Sequence, residues 1–454
     1  MLRVAVIGSG PSGVYTAQAL VQQSAVPDVR VHVLDRLPCP YGLVRYGVAP
    51  DHEKIKSLQN SLRTVLEDER ITFVGHAEVG TAGLSCARLL DLYHAVVYCV
   101  GAATDRRLGI PGEDLPGSWS ATDFVSWYSA HPDASGRGFM LGARSAVVIG
   151  VGNVAVDVAR ILARGAHELR ATDVPQPALD MLAGSRVREV HMVGRRGPSQ
   201  AKFTTKELRE LGTLPDAAVV VRPEELALDP AYADPGSAVA SALPAVNRRN
   251  VEVLRAWAAA GGSGGRARRI HVRFFLRPVE VLEEGGRAAG VRFERTVPDG
   301  SGGIRGTGTY EDVEAQLVLR SVGYRGAPLA GLPFDPGSGT VPHAGGRVLR
   351  EGVPSPGEYV AGWIKRGPTG VIGTNRPCAK ETVASLLADA PALALRPLVD
   401  DPLDALRESG IRPVVWSGWR AIEAAEAALG VSLGRRSVKL HDWAGLLAAA
   451  HGGA

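Results

Sequence analysis

The chain has 454 residues, 45% of them hydrophobic and 22% charged. This is the balance of a globular protein, which excludes a disordered or fibrous chain, and the length calls for two cores rather than one. A net charge of +4 is too small for a nucleic-acid surface but suits a local basic patch for an acidic partner, and no apolar run reaches the roughly 18 residues of a membrane span. Cys39, Cys86, Cys99 and Cys378 are scattered, with no Cys-x-x-Cys pair. That argues against a redox dithiol, a zinc ribbon or a resident iron–sulfur cluster, and suits a reduced, cytoplasmic setting. Met1 stands directly before the first strand, so no leader segment is expected.

Val4–Ile7 is an apolar β-type run that feeds into Gly8-Ser9-Gly10-Pro11-Ser12-Gly13 and then a helix-like segment, Val14–Gln23. In such a Gly-x-Gly-x-x-Gly turn Gly8 allows the tight bend, Gly10 lets backbone approach a pyrophosphate, and Gly13 brings the helix close to the strand. Backbone N–H groups at the helix start would hold the phosphates. A second β-type run, Val29–Leu34, ends in Asp35, where a carboxylate is expected to grip a ribose hydroxyl. Strand, turn, helix and acid together point to dinucleotide binding. Leu37–His52 is rich in proline and glycine and reads as a loop. Asp51 is a candidate N-cap for a helix in which Ile55, Leu58, Leu62, Val65 and Leu66 recur at helical spacing. Ile71–Val74 and Ala95–Val100 read as buried strands.

Ser145–Ile149, followed by Gly150-Val151-Gly152-Asn153-Val154-Ala155 and a helix, repeats the opening logic and marks an internal duplication. The next β-type run, Val187–Val193, ends in Gly194-Arg195-Arg196-Gly197, so arginines stand where the first unit has Asp35. An acid would repel a 2′-phosphate, whereas two guanidiniums hold it by charge-assisted bonds. At about 1.5–3 kcal/mol per charged bond, two of them favour NADPH over NADH by on the order of 10²–10³-fold. Thr204–Leu211 reads as a capped helix with Glu207 and Glu210 on one face, by default a solvated face. Asn247–Arg255 is a helix carrying Arg248, Arg249 and Arg255, followed by a glycine loop, Gly261-Gly262-Ser263-Gly264-Gly265. His271–Leu276, Val279–Leu282, Val291–Arg295 and Gln316–Arg320 read as strands of an antiparallel crossover layer. Glu358–Ala361 is a strand leading into a glycine-dense loop, Gly362–Gly373, and a helix, Val371–Leu387, again a place where a ligand can come close. The tail beyond residue 390 is helical, with Trp416, Trp419 and Trp443 read as packing residues.

The Gly42–His52 loop, the Gly150–Ala155 turn with Arg195-Arg196, and Gly362-Trp363 through Gly373 together resemble the adrenodoxin-reductase-like ferredoxin–NADP reductases, most of all the bacterial single-chain members, over nearly the whole chain. The resemblance implies an α/β flavoprotein with two Rossmann-like dinucleotide-binding domains. Residues 1–102 and 321–454 would form the FAD domain, and residues 103–320 an NADPH domain inserted in it. FAD contacts would fall on Ser12, Asp35, Leu43, Val79, Trp363, Gly370, Val371 and Ile372, beside the Gly8, Gly10 and Gly13 turn. NADP contacts would fall on Arg106, Val151, Gly152, Asn153, Val154, Arg195, Arg196, Glu207 and Gly370. His52 and Glu210 match residues that line the family's cleft near the flavin and are the candidate catalytic pair. Asp35 stands where the family more often has Glu, and Val151 where it often has Asn.

The reaction this implies is hydride transfer from NADPH to FAD, then single electrons to a small acidic [2Fe–2S] ferredoxin, with a cytochrome P450 as one candidate further on. Arg248, Arg249 and Arg255 are the candidate docking patch for that ferredoxin, and no metal site is expected. Three other readings of the same motifs stay open at this level. They are an electron-input subunit resembling the small subunit of glutamate synthase, a flavin-binding redox sensor, and an NADPH-dependent flavin monooxygenase.

Overall fold

The continuous apolar runs of the sequence become the inner strands of two sheets. In a computed structural model, which describes residues 1–81, 84–139, 141–262, 265–398 and 401–452, the chain divides into two units. The first comprises Met1–Thr104, Ser129–Asp133 and Gly323–Ala454, and the second Asp105–Tyr128 and Ala134–Val322. Ser263 and Gly264 of the expected glycine loop lie outside the described residues.

The first unit is built on a seven-stranded sheet in the order His343–Ala344, Arg347–Arg350, Val353–Val360, Ala95–Tyr98, Leu2–Ile7, Val29–Leu34, Ile71–Val74. The last five strands run parallel, and the first two add antiparallel at one edge. Val4, Val6, Val31, Val33, Val96 and Val97 have no exposed surface, as expected for parallel strands covered on both faces. Each such side chain contributes about 1.5–3 kcal/mol by leaving water. The opening helix, Pro11–Gln22, shares one apolar cluster with the helix Asn375–Leu393 through Val14, Ala17, Leu20, Ala379, Val383 and Leu386. Trp419 is fully buried in the same cluster, and Trp416 and Trp443 pack against it.

Three local expectations for this unit need correction. Residues 37–52 are not all loop, because Leu43–Tyr46 forms one helical turn. The following helix starts at Glu53 with His52, not Asp51, at the cap position, and it breaks before resuming as Leu58–Leu66. The helix expected from Val371 begins at Asn375, after a single tight turn at Ile372–Thr374. In the first and third cases a glycine-rich stretch blurs the boundary that helical spacing would otherwise set.

The second unit carries a six-stranded parallel sheet in the order Ser118–Ser120, Leu317–Arg320, Ser145–Ile149, Glu189–Val193, Arg268–Arg273, Ala217–Val221. Leu276–Glu284, Arg287–Pro298 and Ile304–Glu314 form a separate antiparallel sheet. The expected antiparallel layer was therefore too broad. The runs near His271 and near Leu317 are inner strands of the parallel sheet, with Ile270, Val272 and Leu317–Leu319 fully buried. Ile304–Glu314, alternating glycine, threonine and charge, carries little apolar signal. Among the described residues no helix is long and apolar enough to cross a membrane, and all four cysteines are free and buried.

Candidate dinucleotide sites

The turn after the opening strand is shaped by what a side chain would strike. A Cβ on Gly13 would lie 1.8 Å from the Gly8 carbonyl oxygen, so the helix sits this close to the strand only with glycine there. A Cβ on Gly10 would meet only the Gly42 Cα, at 3.8 Å, which leaves room at the helix start. Gly10 caps that helix without a side-chain bond and Pro11 follows, so first-turn N–H groups are left for an anion.

Ser9 ties this turn to the end of the second strand. Its N–H and Oγ donate to Asp35 Oδ2 at 2.8 and 2.5 Å, and the Leu37 N–H donates to Oδ1 at 2.9 Å. Burial pushes the Asp35 carboxyl above the usual range, and the bonds from Ser9 pull it back. Three of the carboxylate's roughly four acceptor positions are taken, which leaves one for a ribose hydroxyl. The 37–52 loop folds back over the turn: Tyr41 donates its N–H to the Ser9 carbonyl at 3.1 Å, at a φ of +83° that is rare for a bulky residue. Leu43, 40% exposed, is thereby held beside the turn.

The carboxy-terminal part of the unit completes this site. Gly362, at φ +79°, approaches Ser12 so closely that a Cβ would lie 2.2 Å from Ser12 Oγ. Ser12 Oγ and Trp363 Nε1 are both buried and find no hydrogen-bond partner among the described residues. Each orphan costs about 1–3 kcal/mol, a cost that a bound polar group removes. The Trp363 and Tyr324 rings lie 5.6 Å apart. Arg366 anchors the following loop by donating to Thr374 Oγ1 at 3.0 Å and Asn375 Oδ1 at 3.1 Å. Gly370 and Val371 are exposed and Ile372 is half-buried. Open glycine backbone, an orphaned hydroxyl and a half-buried carboxylate fit a dinucleotide. Val79 packs its side chain into an apolar cluster with Leu84 and Leu332, so only its backbone can face a nucleotide. His52 is buried at the end of the 37–52 loop.

The second unit repeats the turn with different chemistry at its end. A Cβ on Gly150 would lie 2.1 Å from the Ser321 carbonyl oxygen, whereas one on Gly152 would meet nothing within 4 Å. Gly152 caps the helix Asn153–Ala163 with no side-chain bond, and Val154 lies in its first turn. Val151 packs over Gly194 and accepts the Lys202 N–H at 2.8 Å. Asn153 spends its Oδ1 on the Thr204 N–H at 2.8 Å, so its side chain ties the turn to the next helix. Arg195 and Arg196 are exposed, and among the described residues neither guanidinium has an acceptor. Their backbone is fixed, since the Arg195 carbonyl accepts from Thr296 Oγ1 at 2.9 Å and the Arg196 carbonyl from the Phe275 N–H at 3.2 Å. Arg106 is also exposed. Two free guanidiniums on a fixed strand end fit a phosphate monoester.

Helix Thr205–Gly212 carries Glu207 and Glu210, with Thr204 as its cap. The solvated face expected for this pair is overturned: Glu207 is 7% exposed. The reason is Arg160, a fully buried residue that the sequence did not single out. Its Nη1 lies 2.9 Å from Asp157, 3.0 Å from Glu210 and 4.0 Å from Glu207. The only local hint was Asp157 one helical turn before it. His52 belongs to the first unit and the two glutamates to the second.

Two further features have no local signal in the sequence. Arg45 and Glu426, both buried, pair through two bonds of 2.5 and 3.2 Å across 381 residues of sequence, and no local pattern links them. Of the expected docking arginines, Arg248 donates to the Ser241 carbonyl at 3.3 Å and Arg255 to the Tyr232 carbonyl while lying over that ring. Arg249 is exposed.

Residues 2–210 match the pyridine nucleotide-disulphide oxidoreductase family. The chain is 44% identical over 461 aligned positions to the NADPH-ferredoxin reductase FprA of Mycobacterium tuberculosis, covering 98% of each chain. It is 39% identical over 469 positions to the mitochondrial NADPH:adrenodoxin oxidoreductase of Arabidopsis thaliana, covering 99% of this chain and 95% of that one. Its fold superposes on the solved structure of Mycobacterium tuberculosis FprA in complex with NADPH with a TM-score of 0.91, at 43% identity over 99% of both chains. Relatedness of this degree along the full length places the chain in the family its motifs resemble: it belongs to the adrenodoxin-reductase-like ferredoxin–NADP reductases.

Proposed function

We propose that this chain is an NADPH-dependent flavoprotein reductase that passes a hydride from NADPH to FAD and single electrons onward to a ferredoxin-type iron–sulfur protein. The observation that carries this reading is a contrast between two turns of the same build. One ends in a half-buried carboxylate, Asp35, and the other in two exposed guanidiniums, Arg195 and Arg196, with no acceptor among the described residues. Bound FAD supplies the step from two-electron to one-electron chemistry. The protein's own residues bind and orient.

In this reading residues 1–102 and 321–454 hold FAD and residues 103–320 hold NADPH. The N–H groups after Gly10, with Ser12, take the FAD pyrophosphate, and Asp35 takes the ribose. Trp363, Leu43 and Gly370–Ile372 border the flavin, and the Val79 backbone borders the remainder. The backbone of Val151–Val154 takes the NADPH pyrophosphate, while Arg195, Arg196 and Arg106 take its phosphate charge. Hydride transfer needs alignment more than bond-making groups, so His52 and Glu210, the catalytic candidates, are assigned to alignment, and Glu207 to binding. His52→Gln or Glu210→Gln should lower kcat while FAD stays bound. Arg249, with Arg248 and Arg255, is assigned to ferredoxin docking, and a cytochrome P450 is the candidate recipient beyond it. Four buried thiols suit a reducing, cytoplasmic setting.

The test is an absorption spectrum followed by cytochrome c reduction with NADPH or NADH, with and without a [2Fe–2S] ferredoxin. A yellow protein that prefers NADPH and is stimulated by ferredoxin is expected. A protein that takes up no FAD, or uses both nucleotides equally, refutes the reading.

A further inference from the structure

The parallel sheet of the second unit has a charged feature at the end opposite its glycine turn. A concavity of about 650 Å³ there is lined by Arg144, Arg186, Arg188, Arg266, Arg269 and one acid, Glu189. Five arginines against one glutamate give a formal +4, equal to the net charge of the whole 454-residue chain. The rest of the chain is therefore neutral in sum, and this one recess holds the excess.

Sheet register explains the crowding. Ser145, Glu189 and Arg269 stand opposite one another on three adjacent parallel strands, so Arg144, Arg188 and Arg269 crowd together where those strands begin. Neighbouring strands lie about 4.8 Å apart, which puts Arg144 beside Arg188, one residue before the Ser145–Glu189 pair, while Arg269 stands beside Glu189. The backbone is tied down: the Arg188 N–H donates to the Arg144 carbonyl and the Arg186 N–H to the Leu141 carbonyl, each at 2.8 Å. Glu189 offsets one of the five charges: its carboxylate accepts from Arg269, at 2.5 and 3.0 Å, and faces His271 Nε2 at 2.8 Å. Arg266 donates to the Leu214 and Ala217 carbonyls at 3.0 and 2.6 Å. Arg144 and Arg186 are exposed, and among the described residues their guanidiniums have no acceptor.

We propose that this recess binds an oligophosphate chain, at a site separate from the one for NADPH. Guanidinium forks match phosphate oxygens two at a time, and a concave wall of one sign concentrates an anion. The volume is that of a small-ligand site. Among the described residues no aromatic ring lines the recess, so none of them stacks on a base and the phosphates are what is recognised. Dinucleotides in open α/β sheets bind at the carboxyl ends of the strands, whereas this recess lies at the amino ends. The strand Ser145–Ile149, with a length of roughly 15 Å, separates Arg144 from the Gly150 turn.

Isothermal titration of sodium tripolyphosphate into the flavin-loaded full chain tests this, with NADP⁺ present at saturation to occupy Arg195 and Arg196. One saturable site that weakens with added salt is expected. Arg144→Gln/Arg186→Gln should weaken it by about tenfold or more, and Arg287→Gln, elsewhere on the same unit, should not. The double variant should keep its NADPH-driven ferricyanide reduction, which shows that the fold is intact. Comparable binding of ATP assigns the phosphate chain of a nucleotide as a natural occupant, and exclusion of ATP assigns free inorganic oligophosphate. Absence of saturable tripolyphosphate binding, or equal binding by the double variant, overturns the proposal.

Discussion

Arg160 gathers three carboxylates around a guanidinium that water does not reach. Removing the positive partner of such a group leaves buried negative charge, at a cost of about 3–5 kcal/mol. Arg160→Met should therefore lower the urea midpoint by that equivalent, whereas Arg195→Ala/Arg196→Ala, on exposed and unpaired side chains, should leave it nearly unmoved. The latter change should instead cut kcat/KM for NADPH by on the order of 10²–10³-fold and spare NADH. His32 gives a pH test. Burial, with Arg3 adding, holds its imidazole down at about 4 rather than 6.5, and its Nδ1 sits 2.9 Å from the Tyr93 hydroxyl. Between those two values the unfolded chain binds the extra proton, so stability is full above pH 6.5. It falls by up to about 1.4 kcal/mol per unit as pH drops towards 4. His32→Gln should flatten that slope in urea titrations at pH 7 and pH 4.5.

The strand, glycine turn and helix are the elements that were legible in the sequence. They recur twice with the same spacing, and the physics is local: a bend, a close approach and a helix start within ten residues. Gly150 and Gly152 separate the two demands on such a turn. Gly150→Ala, at φ +141° and facing the Ser321 carbonyl, should cost about 1–3 kcal/mol in thermal or urea unfolding. Gly152→Ala meets no protein atom, so stability should stay within about 0.5 kcal/mol. With the NADPH pyrophosphate at this turn, as proposed, the added methyl should raise KM for NADPH by on the order of tenfold. The strands near His271 and Leu317 were misassigned for the opposite reason. Their sheet partners lie far away in sequence, and the glycine-rich turns between them look the same in either kind of sheet. Arg160, Glu426 and the arginine recess were invisible because each depends on residues brought together by register or by long-range pairing.

For the molecule as a whole, each unit has its own sheet and core, yet the first is assembled from three stretches of chain. The short return at Ser129–Asp133 left no trace in composition. It is held by Asp133, which pairs with Arg36 at 2.5 Å and accepts from Trp443 Nε1 at 2.8 Å, and by Lys439 Nζ, which donates to the Ser129 carbonyl at 3.1 Å. A ligand that binds only the folded chain stabilises it by mass action. NADP⁺ at about 100 times its Kd should add about 2.7 kcal/mol. That increment should vanish in thermal unfolding of Arg195→Ala/Arg196→Ala.

The order of strands in the first sheet also bears on how the protein is made. Ala95–Tyr98 pairs on one side with Leu2–Ile7 and on the other with Val353–Val360, which the ribosome delivers some 255 residues later, from 98 to 353. At about 5–20 residues per second, the nascent amino-terminal half-sheet waits on the order of 10–50 s with the Ala-Val-Val-Tyr strand unpaired along one edge. Bare edges of that kind invite other chains. Translation that stops short of Val353 should thus yield a sticky, aggregating fragment rather than a smaller folded protein.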